Sequence, residues 1–522
     1  MRQTLAATIA AALLGAMPLP AVAQTLNIGA GGAFNSLDPH FFNLGPNNVL
    51  NKYIFSSLTE FSPTLRPEAS LAVSWTAISP TVWEFKLRPG VTFHDGTPLT
   101  ADDVVFSFER IPTVANSPGT FNVMIKPITK LEVIDTHTIR MHTAGPMPVL
   151  PLMMQGPMIL SRKIHTGATT SDFNSGKMAI GTGPYRLQSF TQGDRAVFTR
   201  NDTWFGPKPS WQTVNYRLIA NAAARTAALQ AGDVDVIDQV APRDVAELRK
   251  NAKLSVNVFP GQRLIYVYAD DNREQSTQIT DASGKPIANP LRDRRVRKAL
   301  SLAINRDGIR DRIMDGASVP TGQIMPTGTM GYNPAIKPDA YDPEAAKKLL
   351  AEAGFPNGFH IVLTGPNDRY VNDGPIVEAI AQMWTRVGVK TEVSTMPATV
   401  FFAKQANDEF SISLLGWGSD TGEADSNLTW LIASPDPARG RQSKLRPTHY
   451  ANPAVDAVID RSIETIDPTE RNKLYGDAIA LAMADTPIIP IHFQTNIWAT
   501  RKGLKQLQRM NEGSRAIDFT PE

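Results

Sequence analysis

Between Asp342 and Trp417 the chain alternates helix and strand signals at short intervals, and that order admits few folds. Asp342-Pro343 has the pattern of an N-cap followed by proline at the first helical position, and Gly354 ends that helix. His360 to Thr364 reads as a strand. Ile376, Ile380, Trp384 and Val387 recur at helical spacing, and Gly388 closes the run. Val389, Thr391 and Val393 then alternate with polar neighbours, as in a half-buried strand. After a short helix near Phe401, Ile412 to Trp417 is apolar enough for a buried strand. Strands separated by helices pair mostly in parallel, so this part of the chain is predicted to form an α/β lobe.

At 522 residues the chain is too long for one ordinary core, and two or three domains are expected. Its start has a different character. Arg2 gives a basic beginning, Leu5 to Met17 is apolar, and Ala21-Val22-Ala23 is a small-x-small cleavage pattern. The apolar run falls short of the ~20 residues that span a bilayer. Residues 1–23 therefore read as a secretory signal peptide, with the mature chain starting at Gln24. The absence of cysteine removes disulfides, thiol nucleophiles, thiolate metal sites and a lipid-modified anchor together. An untethered periplasmic protein is expected. With a formal charge of +2 and interspersed signs, no nucleic-acid footprint is visible.

The stretch VWEFKLRPGVTFHDGTPLTADDVVFSFERI, Val82 to Ile111, is the most patterned in the chain. Trp83, Phe85 and Leu87 alternate with Glu84, Lys86 and Arg88, the period of a strand with one buried face. Pro89-Gly90 interrupts it, and Val91-Thr92-Phe93 is expected to resume it. His94 to Pro98 reads as a tight turn with Gly96 at positive φ. Thr100 stands at a helix N-cap, with Asp102 and Asp103 in the favourable first turn. Nothing in the stretch is catalytic.

This run also resembles, almost position for position, the signature of periplasmic solute-binding proteins of oligopeptide and dipeptide ABC importers. Further segments are similar to that family: Ser36-Leu37-Asp38-Pro39-His40, Glu68 to Trp75, Gly181-Thr182-Gly183-Pro184-Tyr185, Gly232-Asp233-Val234-Asp235, the basic helix with Arg295, Val296 and Arg297, and Asn496 to Ala499. Together they span essentially the whole mature sequence. The resemblance implies an α/β, two-lobed periplasmic-binding-protein fold with hinge crossovers and an inserted small domain. It implies lobe I from residues 24–65, 182–263 and 487–522, the insert at 66–181, and lobe II at 264–486. The implied function is the capture of a short peptide or peptide-like solute for an inner-membrane ABC permease, as a monomer without cofactor or metal. Relatives of this type also take glutathione, opines, oligosaccharides, haem or nickel complexes.

The remaining elements follow from pattern. Thr25 to Ala30 is a first strand, and Leu131, Val133, Ile139 and Met141 mark two more. Gly181 and Gly183 suit backbone turns better than a phosphate loop, since no P-loop lysine follows. Ala222 to Ala231 is a helix closed by Gly232, leading into a strand whose Asp233 and Asp235 are expected to face outward. Leu264 to Ala269 is an apolar strand where the resemblance implies a crossing between lobes. Asp271 to Asn289 is expected to be an exposed loop, and Asn289 to Met314 one amphipathic helix with its basic residues in solvent. Ala478 to Ala484 reads as a last helix and Ile488 to Phe493 as a returning strand.

Gly416 to Asp425 is the most suggestive site, because ligands of α/β sheets bind beyond the strands' carboxyl ends. Its glycines allow close backbone approach and Trp417 offers a flat apolar face. In peptide-binding relatives an aspartate three residues after this tryptophan accepts the ligand's α-ammonium, so the resemblance assigns that role to Asp420, beside Ser419. The residues alone equally allow Asp420 to cap the next helix or sit in solvent. Ser419 to Asp425 also looks like the segment of glutathione-type binders, while Glu423 and Asp425 read as helix-start residues. Arg369 and Tyr370 follow another strand of the same lobe; Arg369 suits either a ligand carboxylate or a surface ion pair. Phe34, near the first strand, is a further cleft candidate. Enzymatic motifs are missing: there is no G-x-S-x-G, no H-E-x-x-H and no P-loop. A carbohydrate-active hydrolase using two carboxylates, such as Asp420 and Asp425, is the alternative from another class.

Overall fold

The computed structural model describes residues 25–419, 421–436, 441 and 449–522, and two long strands run through its middle. Leu254–Ala269 and Ile488–Arg501 pair antiparallel over most of their lengths, with register shifts between Pro260 and Leu264 and between Ile265 and Tyr266. Both strands are longer than their apolar cores suggest, because each runs through both halves of one thirteen-stranded sheet among the described residues.

On one side of this pair, Val236–Ile237, Thr25–Ala30, Thr213–Leu218, Arg195–Arg200 and Tyr185–Thr191 follow in that spatial order. On the other lie Ile412–Trp417 and Phe359–Pro366, with Val389–Met396 parallel to the latter over eight residue pairs. The expected parallel lobe is present: Thr364 also pairs in parallel with Ser413. Its helices bury Ile376, Ile380 and Trp384 against Leu363 and Leu414. A second core joins Leu26, Ile28, Tyr53, Phe198 and Trp498 in the other lobe. The molecule is thus a two-lobed α/β fold whose lobes share two crossing strands.

The Val82–Leu87 strand lies within a separate four-stranded antiparallel sheet, between Ala72–Ser79 and Thr138–Thr143. Trp83, Phe85 and Leu87 are buried, as their alternation requires. Val91 to Phe93 does not form a second strand; only Thr92 bridges, to Pro98. The helix Ala101–Arg110 follows with Thr100 and Asp103 capping each other reciprocally. Its Arg110 reaches Asp38 through 2.9 and 2.7 Å hydrogen bonds in a buried pair. Gly181 and Gly183 serve close approach: a Cβ there would stand 2.1 Å from the Ile54 oxygen and 2.5 Å from its carbonyl carbon.

Four local expectations are corrected. Asp271 to Asn289 is no bare loop, since Gln275–Thr280 and Pro286–Ala288 form a hairpin at the sheet edge. Asn289 to Met314 breaks into Arg294–Leu302 and Arg306–Arg312, because Asn305 caps the second helix. Two of its basic residues, Arg297 and Arg306, are 5% exposed rather than solvated. Their guanidinium groups donate to backbone carbonyls, Arg297 to Thr486 and Leu291 and Arg306 to Pro490 and Ser301. Asp235 is also buried, accepting from the Asn27 backbone and side chain and pairing with Arg501.

Candidate functional site

The strand Ile412–Trp417 carries its carboxyl end to the region where the crossing strands loosen. Leu264 pairs with Trp417, next to the register shift that follows Pro260. Trp417 is half-buried, and its indole N–H is enclosed with no hydrogen-bond partner among the described residues. Beyond it the chain is held in a tight local network. The Ser419 hydroxyl donates to the Glu423 carbonyl at 2.8 Å and accepts from the Gly422 N–H at 2.9 Å. The Thr421 hydroxyl bonds the Asp425 carboxylate. Asp420 lies outside the described residues.

This turn is fixed from two sides. Glu423 precedes the short helix Ala424–Asn427, and its carboxylate meets the Arg471 guanidinium at 2.9 and 3.2 Å. Arg471 also donates to the Thr465 and Ile466 carbonyls, so the buried pair is well satisfied. On the opposite side Gly422, at φ +75°, lies against Leu65 of the loop between Thr59–Phe61 and Pro67–Ala69. Leu65 itself has φ +63° and is buried.

Tyr370 and Arg369 lie beside the same strand end. The Asp373 carboxylate accepts both of their backbone N–H groups at 2.9 Å, bending the chain into the helix Asp373–Arg386. The Tyr370 hydroxyl donates to the Gly416 carbonyl at 3.2 Å. A Cβ on Gly416 would lie 2.6 Å from the Tyr370 ring, which gives that glycine its reason. Burial raises the Tyr370 hydroxyl above its ordinary pKa. Arg369 is exposed, with its guanidinium 5.2 Å from the centre of the Tyr370 ring. It makes no ion pair among the described residues.

One residue pair here was not singled out from the sequence. Arg263 binds Glu512 through 2.9 and 3.3 Å hydrogen bonds, joining the crossing strand to the C-terminal segment. Pro260-Gly261 inside a strand pattern is the signal that could have found it, since such residues mark bulges. A Cβ on Gly261 would stand 2.6 Å from the Gln494 oxygen. Burial acts to raise the Glu512 carboxyl, but the charge and hydrogen bonding of Arg263 and the charge of Arg369 outweigh it, leaving it below the ordinary range.

Trp417, Ser419, Arg369 and Tyr370 therefore share one neighbourhood. Phe34 does not: its ring is fully buried in the other lobe's core, against Phe190 and Tyr216, where it serves packing rather than an open cleft. No group of three metal-ligating side chains occurs among the described residues, and no helix among them is long and apolar enough to cross a membrane.

A family model for bacterial extracellular solute-binding proteins, family 5 Middle, matches residues 66–438. A glutathione-binding protein GsiB from Pectobacterium atrosepticum is 29% identical over 511 residues, covering 96% of this chain and 95% of the relative. GsiB from Escherichia coli K12 is 27% identical over 491 residues, covering 92% and 91%. Among solved structures, the Helicobacter pylori periplasmic binding protein DppA in complex with the peptide STSA superposes with a TM-score of 0.77 at 22% identity, covering 95% of this chain and 98% of that one. At that identity the likeness speaks to the fold.

Proposed function

Since the chain belongs to the bacterial extracellular solute-binding proteins of family 5, the periplasmic binding components of ABC importers, we propose that its own solute is a short peptide or peptide-like molecule with a free amine and a carboxylate. The solute is held between the two lobes and passed unaltered to an inner-membrane permease. What supports this reading most is Arg369, a guanidinium without a carboxylate partner among the described residues, beside Tyr370 and the Trp417 loop. An arginine in that position suits a carboxylate, bidentately. Asp420 is assigned the ammonium, and Ser419 keeps the turn that carries it in shape. Closure follows only if the solute binds the closed form better than the open one.

Glutathione is the favoured specific solute, because the GsiB relatives align over nearly the whole chain and glutathione is a peptide-like molecule with one ammonium and two carboxylates. Residues 1–23 act as a cleaved signal peptide, the protein works as a monomer, and the lobes divide near 24–65, 182–263 and 487–522 against 264–486, with 66–181 inserted.

Titration calorimetry with glutathione and tripeptides tests the reading. Asp420→Ala is expected to weaken free-amine solutes by ~3–5 kcal/mol, as for breaking a buried pair. N-acetylated solutes should lose a comparable amount against the unchanged protein. Equal affinity for free and acetylated forms would remove Asp420 from its role.

A further inference from the structure

A cavity of about 250 Å³ lies between the helix Arg294–Leu302, the segment that follows Ser318–Pro320 and the end of the helix Pro468–Met483. It shares no lining residue with the Trp417 neighbourhood. One buried water needs only ~10–15 Å³ of such space, so a guest of several atoms fits. The lining holds three cations, Lys298, Arg306 and Lys337, against one carboxylate, Asp339, a surplus of two positive charges. That carboxylate is already engaged: one oxygen accepts from the Lys298 ammonium and the other from the Ser301 hydroxyl at 2.7 Å. Arg306 is 5% exposed, and its donors meet neutral groups, the Pro490 and Ser301 carbonyls and the Ser301 hydroxyl. Burial pushes its pKa down to about 10, against the opposing charge of Asp339. Lys337 is exposed and makes no ion pair among the described residues. Its backbone is nevertheless fixed. A Cβ on Gly322 would stand 2.2 Å from the Lys337 oxygen, and the Gln323 amide donates to the Asn333 carbonyl at 2.7 Å.

We propose that this cavity is a second binding site, for a compact oxyanion with two negative charges, of the phosphate or sulfate kind. Lys298 and Lys337 hold the anion, and Arg306 supplies a fixed charge at the wall. The inference goes beyond solute capture and does not depend on which solute the protein carries. A dianion balances the two surplus charges, whereas a neutral guest leaves them uncompensated. Lysine ammonium groups are compact point charges, which suit a tetrahedral anion without imposing the planar geometry of a fork. Carbonyls at the ends of the two helices oppose an anion. They are occupied: Arg306 takes that of Ser301, and Arg297 takes those of Asp485 and Thr486. The site also touches the crossing pair of strands. Arg306 donates to Pro490, which pairs with Tyr266 beside the second register shift.

Calorimetric titration of the purified protein with sodium sulfate and with sodium phosphate tests the site, at an ionic strength held constant with sodium chloride. One anion per chain is expected, with a rise in the thermal unfolding midpoint that follows occupancy. Lys337→Gln should weaken both anions by about tenfold or more, and Asp339→Asn should tighten both by about tenfold, since the two remove charges of opposite sign. Lys253→Gln removes an exposed charge outside the cavity and should leave the affinity unchanged. Lys337 is exposed, so its variant keeps the fold, and the two lysine variants decide the matter even where Asp339→Asn is unstable. Equal weakening by Lys337→Gln and Lys253→Gln would reveal diffuse attraction and overturn the site. So would weaker binding in a folded Asp339→Asn, or no saturable binding of either anion to the unchanged protein.

Discussion

Arg471 grips Glu423 through two hydrogen bonds of 2.9 and 3.2 Å, with both side chains about 5% exposed, and so fixes the turn that follows Trp417. Removing one member leaves the other charge buried and alone. Glu423→Ala is expected to cost ~3–5 kcal/mol in urea unfolding and to weaken solute binding with it. A loss below 1 kcal/mol would mean that the turn does not depend on the pair.

Gly422 has a second constraint on the same turn. Its φ of +75° disfavours other residues, and a Cβ would lie 2.6 Å from the Leu65 Cβ and 2.7 Å from the Leu65 oxygen. Gly422→Ala should therefore push the 419–425 turn away from the loop bearing Leu65 and reduce solute affinity at least tenfold, with 1–3 kcal/mol of lost stability as an order-of-magnitude expectation. Leu65→Ala should not rescue it, because the backbone oxygen remains. Rescue would place the conflict in the side chain alone.

Acid should destabilise the fold before most carboxylates titrate. Burial holds His492 near pKa 3, and burial together with the Arg110 charge holds His40 near 4, both below the ordinary histidine value of 6.5. Each is neutral when folded and takes up a proton more readily when unfolded. Their contribution is full above pH 6.5 and falls away as pH drops toward the folded values. Between pH 6.5 and 4 each contributes at most ~3 kcal/mol of lost stability. Neither His492 ring nitrogen meets a hydrogen-bond partner among the described residues. His492→Leu should therefore leave stability at pH 7 within about 1 kcal/mol and flatten the acid loss. An unchanged slope in urea unfolding against pH would contradict this.

The fold was legible wherever period and caps agreed. Thr100 with Asp103, Gly96 and Gly232 at positive φ, and the strands around Val393 and Leu414 all follow from local chemistry. Expectations failed where tertiary context overrode local pattern. Arg297 and Arg306 look like solvated charges on a helix, yet backbone carbonyls from distant strands and turns bury them. The hairpin Gln275–Ala288 looks polar because it lies at a sheet edge. At the site, Trp417, Ser419, Arg369 and Tyr370 could be nominated from strand ends. Arg263 and Glu512 could not be paired, since 249 positions separate them.

The most direct measurement is calorimetric titration of the purified protein with glutathione and tri-alanine, followed by mass spectrometry of the recovered solute. The expected result is saturable binding of one solute per chain, with its mass unaltered after prolonged incubation. Cleavage products, or no binding of either molecule, would contradict solute capture as proposed.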